Sequence, residues 1–125
     1  MPVEFDIDHE KRFVHARTHG VVVLQEILDY FDAVTLQNAA SYPKLFDARE
    51  GTPQLSDDDV MVLGARVSAY AAFDPRGAVA AVATTDEARE SLRRYMNFAG
   101  ARRAMRLFAS IEDARAWLLS DESKS

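Results

Sequence analysis

Residues 45–60 read Leu-Phe-Asp-Ala-Arg-Glu-Gly-Thr-Pro-Gln-Leu-Ser-Asp-Asp-Asp-Val, and this stretch decides the fold. The apolar residues at 45–49 predict a buried strand, and the Gly-Thr-Pro segment that follows predicts a loop. Ser56 and Asp59 have the spacing of an acidic capping box, in which the serine accepts from the Asp59 amide and the aspartate reaches back. Aspartates at 57–59 also suit the positive end of a helix dipole. We therefore predict a strand, a loop and a strongly capped helix start.

The composition of the 125-residue chain indicates one globular domain and excludes several classes of protein. Apolar residues make up 48% of the chain and charged residues 28%, which is typical of a folded domain. The net charge of −5 argues against general nucleic-acid binding. Because the chain has no cysteine, disulfide frameworks, thiol catalysis and cysteine-based zinc sites are excluded. The N-terminus lacks a signal-peptide pattern and no apolar run approaches membrane-spanning length, so we expect a cytoplasmic protein.

Hydrophobic periodicity on both sides of this stretch predicts an α/β domain of order ββαβαβαβα. Alternation at 3–8 and a second strand at 13–21 predict an antiparallel hairpin. The remaining predicted elements are a helix at 24–38, the strand at 45–49, a helix from 57, a strand within 78–83, a helix capped at Thr84 and stopped at Gly100, a strand at 104–109 and a helix from Ser110 to Leu119. Crossover helices make the later strands parallel, so we predict a mixed, mostly parallel sheet of about five strands with four helices. Residues 1–119 would form the domain, and 120–125 a frayed tail.

The chain resembles the SpoIIAA-like branch of the STAS-domain superfamily over nearly its whole length. The resemblance rests on the strand pair at 3–21, the Leu-Phe-Asp-Ala-Arg strand, the Leu-Ser-x-x-Asp-Val helix start, the apolar strand before Thr84-Thr85-Asp86 and the ending Arg-Leu-Phe-x-Ser-x-x-Asp-Ala-x-x-Trp-Leu. It implies a single STAS/SpoIIAA-like domain of bacterial type that acts as a non-enzymatic binding module. It also implies a homodimer and a small apolar or amphipathic, lipid-like ligand, or association with an anionic membrane surface. The ligand would lie in a pocket whose covering helix can open.

Ser56 carries a second, regulatory interpretation that the resemblance also implies. In anti-sigma-factor antagonists of this superfamily, the corresponding helix opens with Asp-Ser-Ser-Gly, and the first serine is a phosphorylation switch for a protein partner. Ser56 falls at that serine, but the motif here is Leu55-Ser56-Asp57-Asp58, without the preceding acid, the second serine and the glycine. A phosphate on Ser56 would be repelled by the neighbouring aspartates. The sequence therefore favours a helix cap over a phospho-switch.

The first helix is a candidate ligand or partner surface. It is rich in apolar residues, and Val23 offers no side-chain oxygen to cap it. These features fit a mobile lid over a pocket, although a plain core helix has the same pattern. The contact residues on this helix would be Leu24, Ile27, Leu28 and Phe31.

The segment 89–106 is a second candidate surface, because it holds six arginines and one glutamate with aromatic residues between them. Arginines beside exposed aromatics suit a membrane surface, an anionic head group or an acidic partner, whereas the simpler interpretation is a solvated helix face. The contact residues here would be Arg93, Arg94, Tyr95 and Phe98.

Catalytic and metal sites find little support in the sequence. His15 and His19 share a strand face but lie about 13 Å apart at the rise of a strand. Asp47 and the aspartates at 57–59 offer ligands for a magnesium ion, but a strand aspartate that bonds a loop amide explains the pattern more simply. We therefore expect no enzyme activity, metal or cofactor. A homodimer would cover the edge that such a sheet leaves open.

Overall fold

The computed structural model describes residues 2–73, 77–99 and 104–120, and the side chains within these ranges other than those of 70–73, 98 and 99. Nine elements follow one another in the described ranges: β1 (Val3–Asp8), β2 (Phe13–Val22), α1 (Leu24–Leu36), β3 (Lys44–Pro53), α2 (Asp57–Phe73), β4 (Val79–Val82), α3 (Asp86–Ala99), β5 (Met105–Phe108) and α4 (Ile111–Leu119). The predicted order ββαβαβαβα is confirmed. The predicted helix stop at Gly100 lies outside the described residues. The predicted tail at 120–125 does so as well, except for Ser120, whose amide and hydroxyl donate to the Trp117 carbonyl.

The strands form one sheet in the order β1-β2-β3-β4-β5. β1 and β2 pair antiparallel, whereas each later pair of neighbours is parallel. This arrangement confirms the predicted mixed, mostly parallel sheet, and it follows from the helices that connect the parallel strands. The register between β2 and β3 shifts between Arg17 and His19. The shift lies directly beside Thr18, a residue that matters for the site described below.

β3 is longer than the sequence predicts. The predicted loop at 50–55 was wrong for its first four residues, which continue the strand to Pro53. β2 extends to Val22, and its residues 19–22 pair in parallel with residues 50–53. The hydrogen bonds between β2 and β3 thus outweigh the turn tendency of Gly-Thr-Pro. Pro53 lies at the end of β3, where its lack of a backbone N–H donor costs little stability.

Helices cover both faces of the sheet. On one face, Val14 and Ala16 of β2 are buried in a cluster with Tyr30 and Val34 of α1. On the other face, Leu45, Ala80 and Val82 pack with residues of α4, namely Ala114, Trp117 and Leu118. Side chains along one strand point alternately to the two faces, so neighbouring residues of a strand face different clusters. The apolar run at 78–83 accordingly forms a strand that is buried on both sides, as predicted.

The helix starts confirm two of the predicted caps and correct the third. Ser110 accepts from the Asp113 amide at 3.2 Å, as its spacing predicts. The cap of α3 is Thr85 and not Thr84, because Thr85 Oγ1 accepts from the Ala88 amide at 3.2 Å. The helix begins at Asp86, one residue later than a Thr84 cap requires. None of the helices in the described ranges is long and apolar enough to cross a bilayer.

α1 begins at Leu24, as predicted, but ends earlier than predicted. It stops at Leu36 and not at Asn38, because Asn38 has a φ of 59°, in the left-handed region that ends helices. Val23 makes no side-chain cap, as predicted, but the Glu26 carboxylate accepts from the Val23 amide at 3.2 Å. The start of α1 therefore has half of a capping box, which the sequence analysis missed although the glutamate stands at the right spacing.

Candidate functional site: an apolar cavity beneath three helices

An apolar cavity of about 140 Å³ lies between the sheet and the helices α1, α2 and α3. Its floor is formed by residues of β2, β3, β4 and β5, and its walls by the three helices. Five lining residues are alanine or glycine: Ala40 before β3, Ala48 and Gly51 on β3, Ala81 on β4 and Ala88 on α3. Small side chains at the junction of three helices and a sheet leave space that close packing would otherwise fill.

The walls of the cavity are formed by facing residues of the three helices. α1 contributes Ile27, Tyr30, Phe31, Val34 and Thr35; α2 contributes Leu63 and Val67; α3 contributes Ala88, Ser91, Leu92 and Tyr95. Aromatic and aliphatic groups therefore dominate the lining. This composition is typical of sites that bind apolar small molecules.

The structure brings three of the predicted surface residues together at this cavity. Ile27 and Phe31 of α1 and Tyr95 of α3 all line it. Leu24 and Leu28 are half-buried but are not part of the lining. The side chain of Phe98 lies outside the described residues. The two predicted surfaces thus meet at one place, although not with every residue that the sequence suggested.

Tyr30 is a wall residue that is not among the contact residues predicted for the first helix. Its side chain is buried and meets the Phe5 ring edge-on at 5.3 Å between centroids. It also approaches Phe46 at 5.8 Å. The helical spacing i, i+3, i+4 and i+7 from Ile27 selects Tyr30 together with Phe31 and Val34. The signal for Tyr30 was therefore present in the sequence, although the predicted contact residues, Leu24, Ile27, Leu28 and Phe31, did not include it.

Two exposed ion pairs join the helices that cover the cavity. Arg66 Nη1 of α2 lies 3.3 Å from Asp32 Oδ1 of α1. Arg94 of α3 pairs with Asp57 of α2. Exposed pairs of this kind contribute about 0–1 kcal/mol each, so they align the helices without locking them.

The arginines of the segment 89–106 have separate partners. Arg93 lies 3.5 Å from Glu90 on the same helix, and Arg94 pairs with Asp57. Arg89 donates to the Ala83 carbonyl at 3.0 Å, and Arg106 lies over the Phe108 ring at 5.5 Å. Residues 102 and 103 lie outside the described ranges. Contact of Arg93 and Arg94 with an anionic surface stays a prediction.

Two polar side chains in the cavity lining are buried, Lys44 and Thr18. Lys44 Nζ donates to the carbonyls of Ala40 at 2.6 Å and Tyr42 at 2.7 Å, and so ties the α1–β3 connection to the strand. Thr18 is only 4% exposed, and its Oγ1 has no hydrogen-bond partner among the residues that the structure describes. The lining therefore includes the engaged cation of Lys44 and the Thr18 hydroxyl, which no described residue satisfies.

Asp47 lies on the opposite face of the sheet, where Arg49 binds it. Arg49 Nε and Nη2 donate to the two carboxylate oxygens at 2.9 and 2.8 Å, and the Arg49 amide donates at 3.1 Å. These hydrogen bonds from Arg49 lower the pKa of Asp47, against the opposing effect of its burial. In the described ranges, no group of three acidic or histidine side chains is close enough to hold a metal ion. The strand aspartate thus bonds the amide of Arg49, which is a strand residue, where the sequence predicted a loop amide.

His15 shares the Asp47 face of the sheet. Burial lowers the pKa of His15, and the charges of Arg115 and Arg17 lower it further, against opposing effects of Asp47 and Asp6. Its Nε2 atom is buried and finds no hydrogen-bond partner in the described part of the chain. His15 is therefore a candidate for the pH dependence of folding rather than a member of the cavity.

Ser56 forms the helix cap that the sequence predicts. Its Oγ accepts from the Asp59 amide at 3.1 Å, and Asp59 Oδ2 accepts from the Ser56 amide at 3.0 Å. This is the reciprocal capping box, here completed by an aspartate. Ser56 lies on the surface and is not part of the cavity lining.

Comparison with known proteins identifies the fold. No family model matches the chain, and no curated protein matches its sequence significantly. Among solved structures, the chain is similar to the crystal structure of an uncharacterized DUF3478-family protein from Shewanella loihica PV-4, which has a SpoIIAA-like fold. The TM-score is 0.62 at 16% sequence identity, and the match covers 93% of each chain. At this identity the likeness concerns the fold alone. The predicted architecture is confirmed: the chain has a SpoIIAA-like fold.

Proposed function

We propose that this protein is a non-enzymatic SpoIIAA-like binding module whose cavity holds a small apolar ligand. The observation that carries the proposal is the apolar cavity of about 140 Å³ beneath α1, between the sheet and three helices. The first helix covers it, which is the position expected of a lid.

The lining of the cavity favours an apolar ligand. A molecule that fills the cavity recovers dispersion contacts with the lining and removes its own apolar surface from water, at about 0.8 kcal/mol per buried CH₂ group.

The volume limits the ligand that fits the structure as it stands. A cavity of about 150 Å³ lined by aliphatic and aromatic groups accommodates benzene. A single ring or a short alkyl group therefore fits here, whereas a longer lipid-like chain requires α1 to move. Such movement would expose Tyr30 and Val34, which are buried against the sheet, so the structure favours the smaller ligand.

The lining also supports binding rather than catalysis. Lys44 is engaged by two backbone carbonyls, and Thr18 lies in the floor without a described base beside it. An acid–base pair or an activated nucleophile is what an enzyme of this kind would need.

Benzene tests the proposal, because binding to the folded state raises the unfolding temperature. We expect benzene to stabilise the wild-type protein and to lose most of this effect in Ala81→Leu, which places a larger side chain in the cavity floor. Ala116→Leu makes the same change at an exposed position of α4 and should respond like the wild type. If Ala81→Leu, shown to be folded, responds to benzene as strongly as the wild type does, binding occurs elsewhere and the proposal fails.

A more specific form of this proposal is that α3 contacts an anionic membrane surface, and Arg93 is the residue that tests it. Arg93 is exposed and lies on α3 beside the wall residue Leu92. Arg93→Glu should weaken binding to vesicles that contain anionic lipid, at low salt, if this surface touches a membrane. Equal binding of the variant and the wild type would remove Arg93 from the interface.

The regulatory alternative depends on Ser56 alone. Its capping bonds explain the serine without a phosphate, and the adjacent aspartates oppose one. A homodimer and a cytoplasmic location stay predictions from the sequence.

A further inference from the structure

We propose that the ligand of the cavity carries one neutral hydroxyl or carbonyl oxygen beside its apolar body, and that Thr18 binds this group. The inference rests on the proposed function and adds a chemical class to it. The natural ligand would thus be a small phenol, alcohol or ketone rather than a pure hydrocarbon or a carboxylate.

Thr18 is a polar residue in a place where an apolar one would pack as well. It is 4% exposed, it lines the cavity floor, and its Oγ1 finds no hydrogen-bond partner in the described part of the chain. A buried hydroxyl that bonds to nothing lowers stability, whereas valine has the same shape without that cost. A ligand that bonds to the hydroxyl removes the penalty when it binds.

The backbone around Thr18 fixes the position of its side chain. Gly51 lies against it, and a β-carbon added to Gly51 would lie 2.1 Å from Thr18 Oγ1 and 2.7 Å from Thr18 Cβ. A threonine side chain is also stiff at its first torsion, because it is branched at Cβ. The hydroxyl is therefore held in a fixed position against Gly51 in the floor, so a ligand group that reaches it is oriented at low entropic cost.

The surroundings of Thr18 select a neutral group. Its neighbours in the lining include Val22, Phe46 and Ala48, which offer no charge to a buried ion. Lys44, the charged residue of the lining, donates to the carbonyls of Ala40 and Tyr42. A carboxylate would lose its hydration without gaining a strong partner at Thr18, so a neutral oxygen is favoured.

The test compares benzene, phenol and benzoate on three proteins, by titrations that follow the NMR signals of cavity methyl groups. Thr18→Val keeps the shape of the side chain and removes the hydroxyl, whereas Thr18→Ser keeps the hydroxyl. We expect Thr18→Val to weaken phenol binding about three- to tenfold relative to benzene, which corresponds to one hydrogen bond. Thr18→Ser should retain the preference of the wild type.

The outcomes separate this inference from the proposed function. If benzene binds the wild type and Thr18→Val leaves the ratio of phenol to benzene affinity unchanged, Thr18 does not bind the ligand and this inference alone is overturned. Tighter binding of benzoate than of phenol would overturn the inference that the polar group of the ligand is neutral. If none of the three molecules binds the wild type, the proposed function itself fails.

Discussion

Gly51 lies so close to Thr18 that a β-carbon at residue 51 would come within 2.7 Å of Thr18 Cβ. Real β-carbons essentially never approach other atoms so closely, so the glycine is a packing requirement of the β2–β3 pair. The contact has a second consequence, because it holds the Thr18 side chain in the floor of the cavity. Gly51 is thus required both for the pairing of β2 with β3 and for the position of Thr18 in the floor of the cavity.

Gly51→Ala should destabilise the protein by about 1–3 kcal/mol, the usual cost of overpacking a tight site. Urea unfolding measures the loss. Thr18→Ala in the same chain should recover part of the stability, since it removes the hydroxyl oxygen, which lies 2.1 Å from the β-carbon position of residue 51, although Cβ of residue 18 remains. A Gly51→Ala protein as stable as the wild type would show that the strands can move apart, and would contradict the rigid floor.

Ser56→Ala should cost about 1 kcal/mol of unfolding free energy, because it removes the hydroxyl that caps α2. Ser56→Asn should remain close to the wild type, since asparagine caps helices well without adding charge. Ser110→Ala at the start of α4 is a matched control and should lose a similar amount. An unchanged stability of Ser56→Ala would contradict the cap.

Lys44→Met should lower the unfolding free energy by about 1–3 kcal/mol, because it removes a buried donor from the carbonyls of Ala40 and Tyr42. Lys11→Met makes the same chemical change in the exposed β1–β2 turn and should have almost no effect. Chemical denaturation of the two variants compares them directly. Equal stabilities would mean that the ammonium does not hold the α1–β3 connection.

The lowered pKa of His15 should make the fold less stable as the pH falls from neutrality through the ordinary histidine value of 6.5. In this window His15 binds a proton in the unfolded chain but stays neutral in the folded chain. A falling pH therefore lowers the free energy of unfolding. Below the folded-state pKa the loss is complete. The lowered pKa of Asp47 acts in a separate window, below its ordinary value of 3.8, where stability falls as the carboxylate is protonated.

Urea unfolding of wild-type protein and His15→Leu at pH 8, 7, 6 and 5 tests the histidine. The variant should show a smaller loss of stability between pH 7 and pH 5, and pH 8 provides the reference for each protein. If both proteins lose the same amount between pH 7 and pH 5, His15 is not the source of the pH dependence.

The element order and the helix caps at Ser56 and Ser110 were predictable, because each depends on residues close in the chain. Alternation, helical spacing and serine–aspartate pairs are local patterns, and they specify strands, helices and starts. The extension of β3 to Pro53 was not predictable in this way. It depends on pairing with residues 19–22 of β2, about thirty residues earlier, and this long-range ladder overrides the local turn tendency.

The cavity was only partly predictable from the sequence. Apolar residues on α1 pointed to a pocket, and Ile27 and Phe31 do line it. The unfilled volume itself depends on which small residues face each other across the layers, Ala81 against Ala88 for example, and local spacing carries no such information. The closeness of Thr18 and Gly51 likewise arises only when β2 and β3 pair.

A benzene titration followed by methyl NMR tests the central claim most directly, because the two faces of the sheet serve as site and control. Methyl groups of Val34, Leu63 and Val67 line the cavity, whereas those of Leu45, Val82 and Leu118 lie in the opposite cluster. We predict saturable shifts in the first set and little change in the second. No shift in the first set, or equal shifts in both, would contradict a ligand site beneath α1.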